Sequence, residues 1–212
     1  MLELLFSDCQ LDFLNLSIHI LILHHVSCNL CCCPLFLYLD KTKTQRLRLG
    51  MTTPMTIRTY IDASFAVHSD FKSHTGICIT MGISCFFALS TGQKINTTSS
   101  CQAELVALAK GLQQSIYSSY FSAGQGYKIP PIIVNQDNQS TIKLTSHGKS
   151  NSELTRHIQI GHYWVEDLID RGLITIEYCP TEFMIAGFLT KPLQGTLLLV
   201  YPLYELPSNY NL

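Results

Sequence analysis

The stretch TIRTYIDASFAV, residues 56–67, alternates apolar and polar side chains and is rich in Thr, Ile, Tyr and Val. That is the pattern of a β-strand with one face against a core. Asp62 lies inside it, so the strand carries a carboxylate where a core-facing element rarely has one. Two more short strands follow at 75–81 and 84–89, separated by Gly82 and entered after polar turns. Three strands this close in sequence make an antiparallel meander. The next segment, SSCQAELVALAKGLQQSIYSSYF (99–121), places Leu105, Leu108, Leu112 and Ile116 at helical spacing, with Ser99 or Ser100 as its cap. PPIIVNQDNQS (130–140) reads as a short buried strand ending at Asn135, after which Asn138 or Ser140 can start a helix through Ile142 and Leu144. NSELTRHIQIGHYWVEDLIDRG (151–172) is a second long helix stopping at Gly172, LITIEYC (173–179) is a fifth strand, and Pro180-Thr181 leads into a final helix over 181–191. The order is that of an α/β domain, and no internal repeat interrupts it.

At 212 residues, 47% apolar and 10% aromatic, the chain can bury a sizeable core and is not a disordered protein. A net charge of −1 argues against a generic polyanion binder. Residues 52–195, however, hold ten Lys/Arg and ten Asp/Glu. If three of those acids gather at one metal, the remaining surface has an excess of three positive charges. Five of the nine cysteines (Cys9, Cys28, Cys31, Cys32, Cys33) lie near the N-terminus, and Cys78, Cys85, Cys101 and Cys179 are scattered along the body. An odd count without regular spacing is a poor disulfide framework, so free, buried thiols are expected for the second group.

Residues 1–36 differ in kind from the rest. FLNLSIHILILHHVSCNLCCCPLFLYL (13–39) has no charged side chain and is long enough to cross a bilayer, but several His and Asn residues dilute it. Its positive charges, Lys41, Lys43, Arg46 and Arg48, follow the apolar run, whereas a signal peptide has them before it. Three readings compete: a membrane anchor, a metal site in HHVSCNLCCC, and unselected sequence. Cys28 and Cys31 have the spacing of zinc ligands, but no second such pair exists in the chain.

Asp62 within the first strand, Glu104 in the first turns of the first long helix and Asp137 just after the fourth strand are costly places for carboxylates. Taken one at a time, each has an ordinary explanation: an exposed strand residue, an acid favoured by a helix dipole, a turn residue. Taken together they suit a divalent-cation site, because hard cations prefer side-chain oxygens held on rigid elements.

YIDASFA (60–66), SSCQAELVAL (99–108), DNQSTIKL (137–144), RHIQIGHYWVEDLIDRGLITIEYCPTE (156–182) and LTKPLQG (189–195) resemble, in order, segments of the ribonuclease H domain that ends the Pol polyprotein of copia-type LTR retrotransposons. LYLDKTKTQRLRLG (37–50) looks like the last stretch of the preceding reverse transcriptase. The resemblance implies a division into an atypical apolar segment 1–36, a reverse transcriptase remnant 37–51, a ribonuclease H-like domain 52–195 and an atypical tail 196–212. It also implies a ribonuclease H-like mixed five-stranded sheet flanked by helices, and an intracellular protein acting on RNA/DNA hybrid, with reverse transcriptase as a possible partner. In that family four carboxylates hold two Mg²⁺ ions for hydrolysis of the RNA strand. By resemblance Asp62 bridges both ions, and Glu104 and Asp137 hold the one on the leaving-group side.

The fourth ligand of the family is the acid of an Ala-Asp pair just before LTKPL, where this chain has Ala186-Gly187. Glycine inside a helix costs roughly 1 kcal/mol relative to alanine and brings no ligand. Glu182, five residues upstream on the expected helix, is more than one turn away. Hydrolysis is therefore expected to be severely reduced or absent. Residues 1–36 show no polymerase aspartate motif and TLLLVYPLYELPSNYNL (196–212) departs from the family form, as in a fragment of a decaying element. Two other functions remain open: a hybrid-binding module that does not cleave, and a membrane-anchored protein using the apolar N-terminus. Asn138 and Gln139 are candidates for contact with the hybrid backbone and its 2′-hydroxyls, and Arg156, His157, Lys143 and Lys149 for contact with phosphates. His157 and His162 are five apart, do not share a face as a zinc pair would, and are assigned to the polar face of their helix; Trp164 is assigned to the core.

Overall fold

The computed structural model describes residues 50–52, 54–82, 85–146 and 156–191. The apolar run 13–39, the stretch 37–49 and the tail 196–212 lie outside the described residues. No helix among the described residues is long and apolar enough to cross a membrane.

The strands are β1 (Arg58–Ser64), β2 (His74–Thr80), β3 (Cys85–Gly92), β4 (Ile132–Gln136) and β5 (Ile174–Tyr178). They form one sheet in the order β3-β2-β1-β4-β5. β1, β2 and β3 pair antiparallel, as the meander required, whereas β4 runs parallel to both β1 and β5. The parallel pairs need crossovers, and three helices supply them: α1 (Ser100–Gly124) between β3 and β4, then α2 (Gln139–Ser146) and α3 (Arg156–Asp170) between β4 and β5. The mixed five-stranded sheet with flanking helices is therefore the one expected.

Local chemistry sets the boundaries. Ser99 caps α1, its hydroxyl accepting from the Gln102 N–H at 3.3 Å. Asn138 caps α2, its side-chain oxygen accepting from Ser140 N–H at 3.0 Å and Thr141 N–H at 3.2 Å. α3 stops before Gly172, the expected end.

Two apolar layers sandwich the sheet. On one face Ile57, Ile61, Ala63, Ile77 and Ile79 pack with Leu105, Leu108 and Leu112 of α1 and Ile158, Val165 and Leu168 of α3. On the other, Tyr60 and Cys78 pack with Met184, Ile185, Ala186 and Leu189. Strand side chains alternate between faces, so Asp62 shares the Tyr60 face while Ile61 and Ala63 look toward the helices. α1 approaches β1 closely at Gly111, where a Cβ would stand 2.7 Å from Ile61 Cδ1.

Three expectations need correction. Residues 181–191 form two short 3-10 turns, Thr181–Phe183 and Ile185–Leu189, rather than one helix. Met184 at φ −74°, ψ 87° breaks the helical path, and Met184, Ile185, Ala186 and Leu189 are all buried, more of the segment than one helical face could turn toward the sheet. Cys78 and Cys85 are joined in a disulfide, their Cα atoms 6.0 Å apart, where the register of β2 and β3 shifts at Ile79/Thr80. Among the described residues Cys101 and Cys179 are free, Cys179 buried as expected and Cys101 only half-buried. His162 is fully buried instead of lying on a polar face. Its spacing explains why: it falls four residues after Ile158 and three before Val165, on the apolar seam of α3. Trp164 is half-buried against the core.

Candidate metal centre

Three elements deliver one carboxylate each to the C-terminal ends of β1 and β4. Asp62 comes from β1, with 2% of its surface exposed; Glu104 comes from the first turns of α1, 4% exposed. Tyr60 stands beside Asn135 in the parallel β1–β4 register. Two residues further along each strand, that register brings Asp137 next to Asp62. Asp62, Glu104 and Asp137 each offer a carboxylate oxygen, and these three atoms lie within 4.8 Å of one another. Oxygens opposed across a Mg²⁺ shell stand about 4.2 Å apart, and across a Ca²⁺ shell about 5 Å, so the donor set fits a hard divalent cation with little closure.

The carboxylates are held from behind. Glu104 Oε1 accepts from Ala63 N–H at 3.2 Å, at the end of β1, and Glu104 Oε2 accepts from Gln136 Nε2 at 3.3 Å. Gln136, fully buried, also accepts the Asn138 N–H on its side-chain amide oxygen Oε1 at 3.0 Å, which ties β4, α1 and the α2 cap to one side chain. Thr181 Oγ donates to Asp137 Oδ2 at 2.9 Å. Thr190 Oγ donates to Asp62 Oδ2, and Lys191 Nζ lies 3.6 Å from the same oxygen.

Crowding shifts the protons. Burial, followed by the negative charges of Asp62 and Asp137, pushes Glu104 up to about 8 despite its two hydrogen bonds. Asp137 is also raised, chiefly by burial, while the Thr181 hydroxyl and Lys191 pull it the other way. Three acids in one buried corner favour a cation or a shared proton.

The segment containing Gly187 closes the site on the Asp62 face. It can approach because β2 has Gly76 directly across from Asp62, where a Cβ would stand 2.6 Å from the Ala186 carbonyl oxygen and 2.7 Å from Thr190 Cγ2. At Gly187 itself, a Cβ would meet nothing within 4 Å among the described residues, and φ lies outside the left-handed region. Nothing in the backbone there requires glycine.

Of the other candidates, Asn138 is occupied as the α2 cap and Gln139 is exposed at the start of α2. Arg156 and His157 begin α3, with side chains outside the described residues, as is all of Lys149. Gln136, Thr181, Thr190 and Lys191 were not singled out from the sequence. Gln136 and Thr190-Lys191 lie beside, or within, segments that were, and that adjacency was the available signal.

The chain thus combines a mixed five-stranded sheet, order β3-β2-β1-β4-β5 with flanking helices, and a cluster of three acids at the C-terminal ends of β1 and β4. No protein-family model matches the chain. Over 155 residues it is 27% identical to the retrovirus-related Pol polyprotein from transposon TNT 1-94 of Nicotiana tabacum, a match covering 73% of this chain and 12% of that protein. Over 162 residues it is 27% identical to the corresponding polyprotein from transposon RE1 of Arabidopsis thaliana, covering 75% of this chain and 11% of that one. Both are copia-type elements, the group to which the sequence motifs pointed. The chain thus spans roughly a tenth of the length of the curated relatives it matches. Among solved structures, LC11-RNase H1, isolated from compost, is similar at 16% identity and a TM-score of 0.47, covering 63% of this chain and 91% of that one. The foamy viral protease-reverse transcriptase in complex with RNA/DNA hybrid is similar at 12% identity and a TM-score of 0.44, covering 65% and 19%.

Proposed function

We propose that this chain carries the ribonuclease H domain of a copia-type Pol polyprotein, built for Mg²⁺-dependent cleavage of the RNA strand of RNA/DNA hybrids, and that its own hydrolysis is impaired because Gly187 stands where the fourth carboxylate belongs. The observation that carries the reading is the convergence of Asp62, Glu104 and Asp137 from three separate elements beside a Gly187 whose side-chain space is open. In this reading residues 52–195 are the domain, 37–51 the end of a reverse transcriptase, and the protein acts inside the cell.

Asp62, Glu104 and Asp137 would hold the metal, with Ala63 N–H and Gln136 keeping Glu104 aimed at it. When bound, Mg²⁺ supplies a Lewis acid for the scissile phosphate and lowers the pKa of an attacking water. Asn138, Gln139, Arg156 and His157 are proposed to meet the hybrid backbone, Asn138 through whatever capacity its capping role leaves. Gly187 contributes only backbone: its carbonyl accepts from Thr190 N–H and Lys191 N–H at 3.2 and 3.1 Å. The missing acid also favours a second reading, a domain that retains hybrid without cutting it.

The test is Mg²⁺-dependent cleavage of a labelled RNA/DNA hybrid by the full chain and by Gly187→Asp, with hybrid retention measured in parallel. Cutting by the aspartate variant alone supports an impaired nuclease whose other ligands are intact. Cutting by the natural chain at the variant's rate would show that the fourth ligand is misassigned. If both are folded and neither cuts, nuclease ancestry of this site loses its support, and retention of hybrid alone then favours the binding reading.

A further inference from the structure

Three acids share one corner of this domain, and one cation is already among them. Lys191 Nζ lies 3.6 Å from Asp62 Oδ2. The other described Lys/Arg ion pairs, Arg58–Glu177, Lys72–Asp70 and Arg171–Asp167, lie elsewhere. We propose that Lys191 is the built-in counter-ion of the carboxylate cluster, and that its ammonium competes with a divalent cation for Asp62. The inference rests on the reading of Asp62, Glu104 and Asp137 as a cation site and adds a regulator to it.

The placement of Lys191 suits a competitor rather than a permanent lock. Its backbone is pinned, its N–H bonded to the Gly187 carbonyl at 3.1 Å. Its side chain is 54% exposed, whereas that of Asp62 is 3% exposed, so the ammonium reaches in from the solvent rim and can swing back out. An ion pair with one exposed partner is weak and easily exchanged. The Thr190 hydroxyl fills a further acceptor position on the oxygen that Lys191 approaches. A metal binding through Asp62 Oδ2 must therefore displace the ammonium or tolerate its repulsion.

The absence of an acid at position 187 sharpens the competition. With three carboxylates instead of four, one positive charge neutralises a larger share of the cluster. Lys191 thus lowers cation affinity in this chain more than it would beside a fourth ligand.

The test is isothermal titration calorimetry of Mg²⁺ and of Mn²⁺ into the full chain, Lys191→Met and Lys191→Arg at low ionic strength, with folding checked by circular dichroism. Removing the charge while keeping the stem is expected to tighten cation binding about tenfold, an effect that salt reduces. Lys191→Arg, which keeps the charge, is expected to stay within about threefold of the parent on the same grounds. Equal or weaker binding by Lys191→Met overturns the role of Lys191 and leaves the cation site standing. Absence of binding in all three folded proteins overturns the cation site itself, and the proposal with it.

Discussion

Glu104→Gln removes the ionisable group from the most crowded part of the cluster, and the structure sets the sign of the result. Glu104 is held at about 8 in the folded chain against an ordinary 4.5, with burial as the first cause and the charges of Asp62 and Asp137 as the next. Between those two pH values the folded state keeps a proton that the unfolded chain gives up, so metal-free stability falls as pH rises. Below 4.5 both states hold the proton and the penalty vanishes; above about 8 it is fully present. At about 1.4 kcal/mol per pH unit, that window sets a ceiling of about 5 kcal/mol. Glutamine keeps an acceptor for Ala63 N–H, but its amide cannot accept from Gln136 Nε2, a loss of about 1 kcal/mol. With relaxation of the neighbouring acids also reducing the gain, Glu104→Gln should be more stable than the parent by about 2–3 kcal/mol at pH 9 and no more stable at pH 4.5. Urea unfolding of the full chain in chelator across pH 4.5–9 measures it. A parent whose stability does not fall over this range, or a variant that falls just as steeply, would refute the argument. Added Mg²⁺ should remove much of the parent's loss at high pH, since a bound cation restores a reason to be ionised.

The remaining predictions concern the support of the site. Gly76→Ala puts a Cβ 2.6 Å from the Ala186 carbonyl oxygen and 2.9 Å from Leu189 Cβ, so the closing segment must shift; a loss of about 1–3 kcal/mol is expected by thermal or urea unfolding. By contrast, Gly187→Asp meets open space among the described residues and no left-handed backbone, so its cost in melting temperature should come only from charge repulsion in chelator and be recovered by added Mg²⁺, with cation affinity raised by calorimetry. His162 has both ring nitrogens buried without a hydrogen-bond partner, and Glu166 Oε2 at 3.5 Å is its one ion-pair contact among the described residues. His162→Leu should therefore be neutral or stabilising by about 1 kcal/mol; a marked fall in melting temperature would mean that the imidazole has a role that its surroundings do not reveal.

How far the sequence could be read depended on how local each signal was. The strand at 56–67, the Ser99 cap and the 105–108–112 stripe of α1 are written in neighbouring residues, and all three appear where they were expected. The last segment was misread because 183–189 is apolar on every side, a pattern that does not distinguish a helix from two tight turns pressed against a sheet. The segment's close approach to the sheet is possible because of Gly76, more than a hundred residues earlier. His162 departs from the expected polar face for a different reason: its five-residue spacing from His157 bears only on metal pairing, whereas its place on the Ile158–Val165 seam, also written in the sequence, makes it core. The disulfide joins β2 and β3 next to a shift in their register, and residue types announce neither.

The site divides along the same line. Its three acids were legible because a carboxylate inside a strand, or early in an apolar helix, is anomalous wherever it occurs. The groups that tune them were not, because Thr190 and Lys191 reach Asp62 across 128 and 129 positions of chain and look like ordinary polar residues after a turn. That segment now presents Asp62 with a hydroxyl and an ammonium, while its open position, Gly187, presents no side chain. A segment that supplied a fourth acid would raise the negative charge of the corner and strengthen its demand for metal. This one lowers that charge. On the proposed reading, the absence of an acid at position 187 and the reach of Lys191 act in the same direction, toward a cluster that can persist without a cation, and introducing an acid there and removing the lysine should each shift it back.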